Sequence, residues 1–185
     1  MPSESEARQI KLPLTADVIA QLRAGDDLRL SGAIYTARDA AHQRLVSALN
    51  TGQNLPIELD GAVIYYCGPT PAPPGRPIGA AGPTTSSRMD TFAPRLYAAG
   101  VLATIGKGQR ALEVREACRK HDCLYLVATG GAGALLSSFI TDAEVVAYPD
   151  LGPEAIRKLT VAEFPVLVGY DVHGGSIFPG DEELD

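Results

Sequence analysis

Two consecutive strand–turn–helix units are encoded by residues 101–139, with the sequence VLATIGKGQRALEVREACRKHDCLYLVATGGAGALLSSF. The predicted elements are a strand Val101–Ile105, a turn Gly106–Gly108, a helix from Arg110 to about His121, a strand Leu124–Ala128, a turn Gly130–Ala134 and a helix beginning at Leu135–Phe139. Short apolar strands that alternate with helices across glycine turns are typical of α/β proteins. This stretch therefore predicts an α/β fold.

The rest of the chain extends the same pattern on both sides. Its predicted elements are a short helix capped by Thr15, a strand Asp27–Thr36, a helix from Arg38 to Gly52, a strand Ala62–Cys67, a helix Met89–Ala99, and strands Val145–Tyr148, Arg157–Val161 and Val166–Tyr170. The extra strands favour mixed sheets, with helices starting at strand ends. With no internal repeat or linker, we expect residues 1–185 to form a single domain, with 179–185 as a frayed acidic tail.

Composition and charge exclude several classes of protein. The formal net charge is −6 and the isoelectric point is about 5.1, so we expect no general affinity for nucleic acid or for anionic membranes. No apolar stretch approaches transmembrane length, and the acidic amino terminus does not resemble a signal peptide. Cys67, Cys118 and Cys123 match no disulfide pattern and no plant-type ferredoxin spacing, so they are predicted to be reduced, with Cys118 and Cys123 packed in the core. These features predict a cytoplasmic protein.

A long loop rich in glycine and proline runs from Gly68 to Arg88. Its prolines prevent a helix or a central strand, and loops of this length inside compact domains are usually functional or disordered. The loop is nearly uncharged and lies between a predicted strand and a predicted helix, which favours an ordered binding loop. It ends in Gly-Pro-Thr-Thr-Ser-Ser-Arg-Met-Asp, residues 82–90, which place hydroxyls and a guanidinium together.

Three cations follow predicted strands or glycine-rich segments, namely Arg38, Arg88 and Lys107. Each one alone is most simply interpreted as a solvated charge at a helix end. Together, at the strand ends where α/β folds collect ligands, they predict a positive pocket for a small anion with several carboxylates or phosphates. This chemistry alone separates neither an enzyme from a binding protein nor a carboxylate from a phosphate. His42, which is offset from the apolar face of its helix, is predicted to be a surface or supporting residue.

The motif at residues 82–90 resembles the signature of the iron-sulfur, class I type fumarate and tartrate hydro-lyases, in their carboxy-terminal domain or β subunit. Further segments that match in order and spacing are Ser31–His42, Ile105–Gly108, Gly130–Ala134 and Tyr148–Ile156. The resemblance covers the chain from about Leu12 to Phe178. It implies a swivelling β/β/α domain that closes over an active site completed by a larger α subunit.

The resemblance also assigns roles to individual residues. Arg38, Arg88 and Lys107 correspond to the family's substrate carboxylate-binding residues, and Thr84 corresponds to the proposed catalytic base. The [4Fe-4S] cluster of the family is carried by the α subunit, with one iron acting as a Lewis acid on the leaving hydroxyl, so no residue of this chain is expected to ligate cofactor or metal.

These expectations together predict the β subunit of a two-subunit, iron-sulfur-dependent hydro-lyase that interconverts fumarate and (S)-malate in a hetero-oligomer of α and β subunits. This chain alone is then expected to be inactive. An L(+)-tartrate dehydratase β subunit is the alternative within the family, because the same cations would bind either dicarboxylate. A non-catalytic module that binds dicarboxylates or phosphates is the alternative from another class.

Overall fold

The computed structural model describes residues 6–129, 131–182 and 184, and within these ranges seven strands form one mixed sheet. The strands are β1 (Arg8–Lys11), β2 (Asp27–Thr36), β3 (Val63–Tyr65), β4 (Ala103–Gly106), β5 (Leu124–Val127), β6 (Ile140–Ala147) and β7 (Ile156–Tyr170). The helices are α1 (Ala16–Gln21), α2 (Asp39–Asn50), α3 (Ala93–Ala98), α4 (Leu112–Lys120) and α5 (Gly133–Ser137), with 3-10 helices at Ser86–Met89 and Pro149–Glu154. The α/β class predicted from the sequence is confirmed.

The sheet is partly closed on itself. Strands β1 to β5 lie side by side in chain order and are parallel, whereas β7 runs antiparallel to both β5 and β2. Because β2 also pairs with β3, strands β2, β3, β4, β5 and β7 form a ring, and β6 pairs with β7 outside it. The carboxyl ends of β2, β3, β4 and β5 consequently meet at one edge of the sheet, which we call the carboxyl edge.

Two hydrophobic clusters pack on opposite faces of this sheet. Alternate residues of β3 divide between them, so that Val63 and Tyr65 belong to one cluster and Ile64 to the other. The first cluster draws on all five strands of the ring and fills its inside. The second packs the outer face against α2, α3 and α4, through residues such as Leu45 and Leu96.

Three element predictions are wrong. The strands predicted at Arg157–Val161 and Val166–Tyr170 are one continuous strand, β7, in which the left-handed Glu163 (φ 56°) absorbs an irregularity opposite β2. The helix predicted at Met89–Ala99 is divided into the 3-10 helix Ser86–Met89 and the shorter α3, whose first turn contains Pro94. Strand β6 begins at Ile140, five residues before the predicted start at Val145. The prediction misses the first half of this strand because that half is largely exposed and contains no apolar run.

The acidic segment at the end of the chain is packed as far as Glu182, in contrast to the predicted fraying. Asp181 accepts hydrogen bonds from Gln109 Nε2 at 2.6 Å and from Ser176 Oγ at 2.6 Å. Arg115 donates to the Glu182 carbonyl at 2.7 Å. Glu183 and Asp185 of this segment, and Gly130 of the predicted glycine turn, lie outside the described residues.

Candidate active site

Arg38, Thr84 and Lys107 all lie at the carboxyl edge. Arg38 comes two residues after β2, and Lys107 directly follows β4. Thr84 is far from β3 in sequence, but its backbone N–H donates to the carbonyl of Tyr66, the residue after β3, at 2.7 Å. The glycine and proline loop therefore returns to the strand it left and delivers Thr84 between two strand ends. The loop is closed at its base, where Thr70 N–H donates to the Ala80 carbonyl at 3.0 Å.

Arg38 caps the amino terminus of α2 and has a partly buried side chain that is 25% exposed. Its Nε lies 3.8 Å from Glu154 Oε1, which is too far for a hydrogen bond, and this nitrogen is buried without a hydrogen-bond partner among the described residues. Gly68 lies against the guanidinium, since a Cβ there would be 2.8 Å from Arg38 NH1. Arg38 is thus placed by packing, and its terminal guanidinium nitrogens, which make no hydrogen bond to the described residues, keep hydrogen-bonding capacity for a ligand.

Arg88 projects from the 3-10 helix Ser86–Met89 and is half exposed. Its Nε and NH2 both donate to Asp39 Oδ2, at 3.0 Å and 2.5 Å. Asp39 is the first residue of α2 and follows Arg38 directly. This ion pair brings the two predicted carboxylate-binding arginines to the same helix terminus.

Lys107 is linked to the loop through the backbone around Ser86. The Ser86 N–H donates to the Lys107 carbonyl at 3.0 Å, and the Lys107 N–H donates to Ser86 Oγ at 2.9 Å. The ammonium group of Lys107 has no ion-pair or hydrogen-bond partner in the part of the chain that the structure describes. The backbone of Lys107 pairs with Thr85, the residue after Thr84, so an ammonium with no partner in the described chain extends from the edge where Arg38 also lies.

Gly106 is required by this link, because the hydroxyl of Ser86 occupies the place of a side chain. A Cβ at Gly106 would lie 1.8 Å from Ser86 Oγ and 2.8 Å from Tyr66 Cδ2. Ser86 is fully buried, and Tyr125 OH also donates to its Oγ, at 2.9 Å. Ser86 therefore has no free space into which it could move.

We expect Gly106→Ala to destabilise the protein by about 1–3 kcal/mol, because overpacking displaces Ser86 and with it Lys107. Chemical denaturation of the variant and of wild type measures the change. The matched control is Gly82→Ala, whose added Cβ would meet its nearest neighbour, Gly133 Cα, at an ordinary 3.4 Å. Equal stability of the two variants would contradict this interpretation of Gly106.

A buried ion pair between Arg110 and Asp90, which the sequence analysis does not predict, supports the glycine and proline loop. Arg110, whose side chain is 0% exposed, donates from Nε to Asp90 Oδ1 at 2.5 Å. Asp90 Oδ2 accepts from the Ala111 N–H at 2.8 Å. The guanidinium carbon of Arg110 lies 5.1 Å from the Tyr66 ring centroid and 4.8 Å from that of Tyr125. Both charged residues occur in the sequence next to predicted site residues, but no local spacing signals that they pair.

His42 is completely buried, so the surface alternative predicted for it is wrong. Its Nδ1 lies 2.8 Å from the Arg38 carbonyl, and because a carbonyl only accepts, Nδ1 carries the proton. Its ring makes an edge contact with Tyr66 at a centroid distance of 5.3 Å. Burial lowers the pKa of His42 from 6.5 to about 4, so the ring is neutral near neutral pH. His42 supports the start of α2, where Arg38 and Asp39 lie.

The lowered pKa of His42 predicts a loss of stability in acid. As the pH falls below about 6.5, the unfolded chain binds the proton before the folded chain does, so the free energy of unfolding drops by about 2 kcal/mol between pH 7 and pH 5. Urea unfolding at the two pH values tests this in wild type, His42→Asn and His42→Gln. In both variants, we expect the free energy of unfolding to lack this drop of about 2 kcal/mol between pH 7 and pH 5. An unchanged pH dependence in both would exclude His42 as its source.

The three cysteines do not fit the ligation of an iron-sulfur cluster. Each is buried, and burial raises the pKa of Cys67, Cys118 and Cys123 to about 12. Metals bind the thiolate form, which burial disfavours here. Cys123 Sγ instead donates to the Val101 carbonyl at 3.1 Å. Among residues 6–129, 131–182 and 184, no group of three or more His, Cys, Asp and Glu side chains is arranged to hold a metal ion.

A separate groove of about 430 Å³ lies beside the candidate site. It is bounded by the proline loop around Pro71, by Val145 of β6 and by Pro153, and none of Arg38, Thr84, Arg88 and Lys107 lines it.

The described residues contain no helix that is both long and apolar enough to cross a membrane.

Comparison with known proteins identifies one matching family model and several relatives. The family model described as "Fumarase C-terminus" matches residues 1–180. The anaerobic class I fumarate hydratase of Escherichia coli strain K12 is 38% identical over 182 residues, which cover 95% of this chain and 33% of the relative. Fumarate hydratase 2 of Leishmania major is 35% identical over 162 residues, which cover 86% of this chain and 28% of the relative.

A third relative has nearly the length of this chain. A protein of Methanocaldococcus jannaschii, provisionally named L(+)-tartrate dehydratase subunit beta, is 36% identical over 171 residues, which cover 89% of this chain and 88% of the relative. By contrast, the chain spans about a third of the length of the Escherichia coli fumarate hydratase that it matches.

Proposed function

Because the chain belongs to the Fumarase C-terminus family, we propose that it is the β subunit of a two-subunit hydro-lyase that hydrates fumarate reversibly to (S)-malate. The observation that carries the proposal is the gathering of Arg38, Thr84 and Lys107 at the carboxyl edge, with Arg88 tied to the residue after Arg38. These residues would bind a dicarboxylate and start its reaction by removing a proton from carbon.

The three cations suit a reaction in which negative charge develops on a carboxylate. Removing a proton from the carbon beside a carboxylate of malate moves charge onto that carboxylate, and fixed positive groups stabilise it. The ammonium of Lys107 and the terminal guanidinium nitrogens of Arg38 make no hydrogen bond to the described residues, so they can bind the substrate. In this proposal, Arg38, Arg88 and Lys107 bind the two carboxylates and lower the barrier to proton removal.

Thr84 is the proposed base that removes the proton from carbon. Its side chain is partly buried, and its hydroxyl makes no hydrogen bond to other residues that the structure describes. A neutral hydroxyl is a weak base, so Thr84 would act in its ionised form, which a positive surrounding favours. The backbone contact to Tyr66 fixes Thr84 independently of its side chain.

The proposal assigns the remaining half of the site to a partner. We propose that a larger α subunit completes the site, that this domain swivels to close over it, and that α and β subunits form hetero-oligomers. The iron-sulfur cluster that the family resemblance implies does not fit the cysteines of this chain and would belong to that partner. A cytoplasmic location remains a prediction from the sequence.

A tartrate dehydratase β subunit is the second candidate. The relative from Methanocaldococcus jannaschii supports it, because this chain covers 88% of that β subunit's length. Tartrate and malate are both hydroxylated dicarboxylates, so the same three cations would bind either acid.

Co-expression with the α subunit, followed by oxygen-free cluster reconstitution, tests the proposal. Fumarate, L-tartrate and mesaconate are assayed side by side, and we expect fumarate to have the highest kcat/KM. A clear preference for L-tartrate would favour the second candidate. Activity on none of the three acids would exclude the hydro-lyase and leave a non-catalytic binding module.

A further inference from the structure

Arg88 depends on Asp39 for its orientation. The arginine extends from a four-residue 3-10 helix and its side chain is 50% exposed, so packing alone leaves it free to change rotamer. Asp39 Oδ2 accepts from both Nε and NH2, at 3.0 Å and 2.5 Å. No other hydrogen bond or ion pair to Arg88 occurs among the described residues, and NH1 has no partner there.

Asp39 itself has a fixed position. It is the first residue of the 12-residue helix α2, whose first turn is closed by two hydrogen bonds to the Arg38 carbonyl, from the His42 N–H at 2.9 Å and from His42 Nδ1 at 2.8 Å. Buried Ala41 and Leu45 hold the helix against the sheet. The carboxylate of Asp39 therefore keeps a constant place relative to Arg38.

We propose that Asp39 is a positioning residue, which holds one edge of the Arg88 guanidinium and leaves NH1 for a substrate carboxylate. Both arginines are then set by the start of one helix, Arg38 as its cap and Arg88 through Asp39. This inference rests on the proposed function, in which the two arginines bind the carboxylates of one substrate. A fixed distance between them would select the length of the dicarboxylate.

Removal of Asp39 should change substrate binding in opposite directions, depending on whether Asp39 acts through its charge or by positioning Arg88. The carboxylate repels an incoming dianion, so if charge alone mattered, Asp39→Ala would bind substrate more tightly. If Asp39 positions Arg88, the same variant binds substrate more weakly because the guanidinium loses its orientation. Asp39→Asn keeps an oxygen that accepts from Arg88 while removing the charge, and so should preserve the position.

The test compares kcat and KM of the two-subunit enzyme with wild-type, Asp39→Ala and Asp39→Asn chains. We expect Asp39→Ala to raise KM about tenfold and to lower kcat by a smaller factor, since a misdirected Arg88 loses a contact to the substrate that is made in the ground state and strengthened in the transition state. Asp39→Asn should stay within about threefold of the wild-type KM. The matched control is Asp150→Ala, which breaks an exposed pair with Arg44 (2.9 Å and 2.5 Å) and should leave KM unchanged.

A second measurement separates failure of this inference from failure of the proposed function. In the ¹⁵N-labelled chain without substrate, the Nε–H nuclear magnetic resonance signal of Arg88, assigned by its loss in Arg88→Met, reports how rigidly the guanidinium is held. We expect Asp39→Ala to broaden or shift it and Asp39→Asn to retain it. Retention of the wild-type signal in Asp39→Ala, or an unchanged or lower KM, would overturn the inference. An altered signal in an enzyme inactive on all three acids would support the positioning and reject the function.

Discussion

Thr84→Ala is expected to lower kcat of the two-subunit enzyme by about a hundred- to ten-thousand-fold, the usual contribution of a general base. The substitution removes the hydroxyl but keeps the backbone hydrogen bond from Thr84 N–H to the Tyr66 carbonyl, which has a length of 2.7 Å. The three cations remain in place, so binding of the dicarboxylate should change little. Steady-state kinetics and isothermal titration with malate measure the two effects separately.

The matched control for Thr84 is its neighbour. Thr85→Ala removes the same hydroxyl and methyl group from an exposed position whose backbone pairs with Lys107. It should retain most of the wild-type kcat. An active Thr84→Ala enzyme would remove Thr84 as the base, and a loss of activity in Thr85→Ala alone would transfer the role to Thr85.

Arg110→Met is expected to reduce the free energy of unfolding by about 3–5 kcal/mol, because it leaves the Asp90 carboxylate in the interior without its partner. The Asp90 side chain is only 14% exposed and Arg110 is fully buried between two tyrosine rings. Methionine fills part of the volume of the arginine side chain. The lost free energy of unfolding therefore reflects the unpaired Asp90 carboxylate more than a cavity. Urea denaturation of the isolated chain measures it.

Two further variants test the cause of this loss. In the Arg110→Met/Asp90→Asn double variant, the unpaired charge is absent while an amide oxygen can still accept from the Ala111 N–H, so part of the lost stability should return. Arg95→Met serves as the control, because Arg95 is exposed and contacts Asn50 at 3.2 Å. A loss below about 1 kcal/mol in Arg110→Met would show that the ion pair does not stabilise the loop.

The sequence predicts elements well where glycines and hydrophobic periodicity mark both ends. Strand β2 has the predicted bounds, Asp27–Thr36, and α2 starts at the predicted junction after Arg38. Strand β7 was divided in the prediction because Glu163 and Pro165 interrupt its apolar pattern. Pairing with β2 nevertheless resumes at Phe164, directly after the left-handed Glu163, and continues through Pro165, so one strand spans both residues.

The location of the candidate site follows from the sequence, but its internal support does not. Cations placed after strands must meet at the carboxyl edge once the strands are parallel, which is why Arg38 and Lys107 could be grouped in advance. The pairs that hold the site join residues far apart in the chain, such as Arg88 and Asp39, separated by 49 positions. No local pattern links such partners, and the burial of His42 is equally invisible in the one-dimensional sequence.

The central claim, that this chain supplies half of a hydro-lyase active site, is tested most directly by titrating it into a fixed amount of cluster-loaded α subunit without oxygen. The rate of fumarate consumption is the readout. We predict no activity from either chain alone and a rate that rises to saturation at one β subunit per α subunit. Full activity of the α subunit alone, or a mixture inactive on both fumarate and L-tartrate, would contradict the claim.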